Sequence, residues 1–193
     1  MHGSPLSEAQ FDELRRCSRQ GRKLRRACGV ARFNGWTLAL FGACGLVSGF
    51  WDAAGLAFGA AFGILAWREF AGARGLAMLR ERAARGLALN QVVLGAVVVG
   101  YAGLSAYRVL ERQGVSAAEA AELDAVLGPG GAASLASMAS ALSLVVYGAV
   151  AAASVLCQGL TAWYYASRAR LVREQLAATP EWAVRVQRIV LAA

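Results

Sequence analysis

Three long stretches of this chain carry almost no charge. Residues 33–67 contain one ionisable acid or base, Asp52; residues 87–107 contain no Asp, Glu, Lys or Arg; and neither do residues 125–167. Apolar runs of about 18 or more residues suit helices that satisfy their backbone internally within a bilayer. The sequence therefore predicts an all-α integral membrane protein. Its 58% apolar content exceeds the roughly 45–50% of soluble domains.

The basic residues divide the polar segments. Eight positive charges precede residue 35, and the segment after Trp67 holds Arg68, Arg74, Arg80, Arg82 and Arg85. The C-terminal segment adds Arg168, Arg170, Arg173, Arg185 and Arg188. Residues 108–138 instead combine Arg108 and Arg112 with Glu111, Glu119, Glu122 and Asp124. Cytoplasmic segments retain Arg and Lys. The pattern predicts four transmembrane helices arranged as two hairpins, with both termini cytoplasmic. Its divisions are a basic helix over 1–32, a first hairpin over 33–67 and an amphipathic helix over 68–87. A third span at 88–107, an outer loop at 108–138, a fourth span at 139–167 and an amphipathic tail at 168–193 complete it. The first apolar run lies too far from the start for a cleaved signal and is expected to be retained.

Aromatic residues are expected at the headgroup level: Trp36, Trp51, Trp67, Tyr107, Trp163, Tyr164, Tyr165 and Trp182. The halves of the first hairpin are short, each about 21–23 Å as helix against a core of roughly 30 Å. A re-entrant hairpin, which would bury Asp52, is the alternative.

Local signals refine the segments. Residues 7–32 read as one basic helix, with Phe11, Leu14, Cys17 and Leu24 on one side. Gly55, Gly59 and Gly63 recur every fourth residue, and Gly45 and Gly49 offer a matching smooth patch. Such spacing lets helix backbones approach, within a hairpin or between copies. Residues 68–87 read as one amphipathic helix. Ser116–Ala117–Ala118–Glu119 is a capping box for a short helix ending before Gly128–Pro129–Gly130–Gly131. Thr179 as cap and Pro180 at the first helical position mark another helix start, with Trp182, Val186, Ile189 and Val190 forming an apolar stripe.

Reactive constellations are absent from the sequence. His2 is the single histidine, the four cysteines form no CxxC pair, and the spans hold no acidic pair. No catalytic residue, metal ligand or cofactor site is predicted, nor is nucleic acid a predicted partner. The basic segments suit anionic lipid at a cytoplasmic surface. The expected function is a non-catalytic membrane scaffold or assembly subunit, self-associating and membrane-organising. The alternative is a small channel or transporter whose pathway forms in a homo-oligomer, lined by Asn90, Ser105, Ser143 and Gln158.

Gln158–Gly159–Leu160–Thr161–Ala162–Trp163–Tyr164–Tyr165, followed by Thr179–Pro180–Glu181–Trp182, resembles small four-span bacterial membrane proteins of no assigned activity. The resemblance implies a bacterial inner membrane and no mechanism.

Overall fold

The computed structural model describes residues 7–50, 53–111 and 116–192. Trp51 and Asp52, the expected outer turn, lie outside the described residues, as do His2 and the side chains of Leu14, Cys17, Ile189 and Val190. All described elements are α-helices: α1 (Glu8–Gln20), α2 (Arg22–Ser48), α3 (Ala53–Ala77), α4 (Glu81–Glu111), α5 (Ala117–Leu127), α6 (Gly131–Ala178) and α7 (Glu181–Ala192). Among them α2, α4 and α6 are long and apolar enough to cross a membrane. The second apolar run, in α3, is not in that set; its glycines and the Arg68–Glu69 pair dilute its hydropathy.

Two compact units divide the chain. Residues 1–92 and 160–193 form the first, and residues 93–159 the second, so α4 and α6 each contribute to both. In the first unit, α2 and α3 lie antiparallel at very close range. A Cβ added to Gly45 would stand 2.8 Å from Gly59 Cα, and one on Gly49 would stand 2.7 Å from Leu56 Cα. A Cβ on Gly59 would collide with the backbone nitrogen of Leu46 and lie 2.7 Å from the Gly45 carbonyl carbon. The contact also uses Gly42, whose Cβ would meet Gly63 N at 3.1 Å, and Gly35, whose Cβ would meet the Phe70 ring at 3.0 Å. Trp36 and Phe70 pack edge to face across the same contact, with centroids 5.5 Å apart.

At the opposite end of this contact from Gly49 and Leu56, an apolar core gathers one stripe from each helix. Leu24, Ala27, Cys28 and Ala31 of α2 meet Ala73 and Leu76 of α3, Ala84 and Leu87 of α4, and Tyr165, Ala169 and Val172 of α6. The spacing of three and four residues within each set is the spacing of one helical face.

Two helices expected to be continuous are broken. Residues 7–32 divide at Gly21, whose carbonyl accepts from Arg25 N as α2 starts afresh. Residues 68–87 divide at Met78–Arg80. There Arg80 N donates to Gly75 O and Leu79 N to Leu76 O, the paired bonds of a Schellman ending. That ending needs a left-handed residue, normally glycine, and Leu79 supplies it at φ 57°. A non-glycine residue there costs about 1–2 kcal/mol. Burial of the Leu79 side chain in the core offsets it.

The start of α5 follows its sequence. Ser116 Oγ accepts from Glu119 N, and the Glu119 carboxylate accepts from Ser116 N at 3.1 Å. Gly128 and Gly130, at φ 89° and 82°, turn the chain toward α6, and Asp124 Oδ1 accepts from Ala132 N at 2.8 Å. The α7 start differs from expectation. The Pro180 carbonyl accepts from Ala183 N and Val184 N, while the Thr179 hydroxyl is buried without a partner and does not cap.

The stripe Gly55, Gly59 and Gly63 is not uniform, and this is testable. A Cβ on Gly63 meets nothing within 4 Å, whereas one on Gly59 enters the α2 backbone. Gly59→Ala is expected to destabilise the protein by about 1–3 kcal/mol. Gly63→Ala is expected to be neutral or stabilising by about 0.5–1 kcal/mol through helix propensity. Unfolding in detergent micelles measures both.

At Ser116, the hydroxyl and backbone bonds hold the Glu119 carboxyl below the usual glutamate range. The depressed value means that this contribution is present above the unfolded pKa and is lost as pH falls through the folded one. Amide exchange at Glu119 and Ala120 is expected to accelerate in acid, and in Ser116→Ala at neutral pH.

Candidate functional site: a buried polar cluster in the first unit

Three helices place polar side chains where their packing faces call for apolar ones. Along α3 the buried face runs Phe62, Leu65, Ala66, Glu69, Ala73 and Leu76. Along α4 it runs Ala84, Leu87, Asn90, Gln91 and Leu94, and along α6 Tyr165, Ala169 and Val172. Glu69 and Tyr165 are 0% exposed, and Asn90 and Gln91 are each 1% exposed.

These side chains meet. Asn90 Nδ2 donates to Glu69 Oε1 at 2.9 Å and to the Leu65 carbonyl at 3.1 Å. Gln91 Nε2 donates to the same Glu69 oxygen at 2.5 Å. The Tyr165 phenol lies beside the carboxyl, and Asn34 Nδ2 of α2 reaches Tyr165 Oη at a long 3.5 Å. One cluster thus touches α2, α3, α4 and α6.

The hydrogen-bond pattern fixes how each amide points. Both N–H groups of Asn90 face acceptors, so turning the amide would set Asn90 Oδ1 against two oxygens. Turning Gln91 would likewise oppose its oxygen to the carboxylate. With the amides so held, Glu69 Oε2, Asn90 Oδ1 and Gln91 Oε1 are buried without a hydrogen-bond partner.

Charge around the cluster is also unbalanced. Among the described residues, no basic side chain comes within 4.0 Å of Glu69. Arg168, one turn beyond Tyr165, lies over the Tyr164 ring with its guanidinium carbon 4.3 Å from the centroid. Arg68 is exposed. No group of three His, Cys, Asp or Glu side chains suited to a metal occurs among the described residues.

The residues singled out from the sequence lie in several settings. Asn90 belongs to this cluster. Ser143 is half-buried and its hydroxyl donates to Ala139 O of its own helix at 2.8 Å. Ser105 and Gln158 are half-buried in the second unit, where Gln158 Cβ lies 3.4 Å from the Cβ position of Gly95. Gly45, Gly49, Gly55 and Gly59 lie at the α2–α3 contact. Trp36, Trp67, Tyr107 and Trp163 are exposed, Tyr164 and Trp182 are half-buried, and Tyr165, expected at the headgroup level, is enclosed in the core.

Sequence reading passed over Glu69 because it adjoins Arg68 and so resembles an ordinary end-of-span charge. The signal that finds it is register: Glu69 is three residues after Ala66 and four before Ala73 on the buried face.

Asn90→Ala is expected to remove one donor from Glu69 and the second donor to the Leu65 carbonyl, at a cost of about 1–3 kcal/mol. Unfolding of the variant against the wild-type chain in micelles measures it. Comparison with protein-family models, with curated proteins and with solved structures finds no match to this chain.

Proposed function

We propose that this chain is a non-catalytic membrane scaffold or assembly subunit that associates with itself. In this reading it crosses a bacterial inner membrane four times, with α3 supplying the second crossing and both termini cytoplasmic. The basic segments of α1, α2 and α7 then rest on anionic lipid.

The observation that carries the reading is the open face of α6. Only 6% of its most apolar stretch is buried within the chain, against 22% for α2 and 28% for α4. On that face Ala141, Val145, Gly148, Ala152, Val155 and Gly159 follow one another at alternating steps of four and three, and all are exposed. Small residues at that spacing form a smooth seam for a second helix, whose attraction in lipid comes from close van der Waals contact. A Cβ on Gly148 or Gly159 would meet nothing within 4 Å. The Gly45–Gly59 contact, by contrast, is consumed within the chain, which moves self-association from those glycines to α6.

A homo-oligomeric channel or transporter is the second reading, favoured by the buried carboxyl of Glu69. It predicts ion flux in liposomes, which the scaffold does not.

Native mass spectrometry of the full chain in nanodiscs is the test. A discrete homo-oligomer is expected, with Gly148→Leu shifting it toward monomer. A monomer at every concentration overturns the reading.

A further inference from the structure

We propose that Glu69, Asn90 and Gln91 form a binding site for one small monovalent cation, a proton or an alkali metal ion. The inference does not depend on the scaffold reading, since every group involved belongs to the first unit of one chain.

The argument is a balance of donors and acceptors. Asn90 spends both its N–H groups on Leu65 O and Glu69 Oε1, and Gln91 directs its amide nitrogen to the same oxygen. Three oxygens from three side chains then have no partner, and all three side chains are almost wholly enclosed. While Glu69 is ionised neither amide can turn to relieve the shortage, because each would oppose oxygen to oxygen. Buried polar atoms are rarely left in this condition; a cation at Glu69 Oε2 neutralises the carboxylate, and a proton there turns that oxygen into a donor for one further acceptor.

Charge selects the ligand. The cluster holds one carboxyl and no paired base, so an ionised Glu69 is short of one positive charge. The groups facing it are the neutral amides of Asn90 and Gln91 from α4 and the phenol of Tyr165 from α6. From α2, Asn34 Nδ2 reaches the Tyr165 hydroxyl. Tyr165 can donate one hydrogen bond but adds no charge. Arg168 is turned to Tyr164, and Arg68, the neighbour on α3, is exposed. A second carboxyl, which a divalent ion would call for, is missing from the cluster. Carboxylate and amide oxygens are hard ligands suited to a proton or an alkali ion.

Infrared difference spectroscopy on the full chain in lipid nanodiscs tests the site. In buffer with choline as its cation, a protonated-acid carbonyl band is expected at neutral pH and is lost as the pH is raised. The band is absent from Glu69→Gln. Loss of the band at constant pH on adding sodium or potassium, saturating with concentration, identifies an alkali ion that displaces the proton. Insensitivity to both ions identifies the proton as the ligand. If Glu69→Gln does not fold, the band is assigned in the wild-type chain with a hydrophobic carbodiimide, which modifies protonated carboxyls, and peptide mass mapping. A Glu69 that shows no acid band at any pH and no response to either ion overturns the proposal.

Discussion

A single carboxyl on α3 organises the polar side of the first unit. Glu69 stands on a face whose other members are Phe62, Leu65, Ala66, Ala73 and Leu76, so helix packing carries it out of solvent along with them. Once there it needs donors, and two come from adjacent residues of α4. Adjacent residues on a helix point about 100° apart, so two side chains reaching one oxygen fix the rotation of α4 about its axis as well as its height. Apolar contacts alone are less particular, because a Leu–Ala face tolerates small rotations. The requirement to satisfy one buried acid thus specifies an arrangement that the apolar core stabilises.

The glycine contact between α2 and α3 supplies the other constraint. Backbones that approach until a Cβ would overlap gain dispersion contacts along several turns, and glycine is the residue that allows it. The contact runs from Gly35 against Phe70 to Gly49 against Leu56, so it fixes the register of the two helices along that length. Glu69 lies beside Phe70 in the chain, and its position therefore follows from that register. The close contact and the polar cluster are parts of one arrangement.

The second unit has a different character. Apolar side chains are exposed along most of α6, and the turn into that helix is fixed locally by the Ser116 cap, the Asp124 bond to Ala132 N, and the positive-φ glycines 128 and 130. Such a surface suits lipid or another helix. The proposed self-association places a second copy of this chain on the seam of glycine, alanine and valine from Ala141 to Gly159.

The helical class, the apolar segments, the Ser116 capping box and the glycine turn after Leu127 were legible in the amino-acid order, because each depends on residues within a few positions of one another. The break at Leu79 was hidden, since a left-handed leucine is paid for by a core that only the assembled helices provide. The silent Thr179 hydroxyl, the enclosure of Tyr165 and the unequal roles of Gly59 and Gly63 were hidden for the same reason. Above all, Glu69 and Gln91 read singly as ordinary polar residues at segment ends, and Asn90 as a candidate pore lining. Sequence determined the helical class and three stretches, in α2, α4 and α6, that are long and apolar enough to cross a membrane. Tertiary structure decided which polar groups share one buried space, because that depends on the rotation and register of helices distant in the chain.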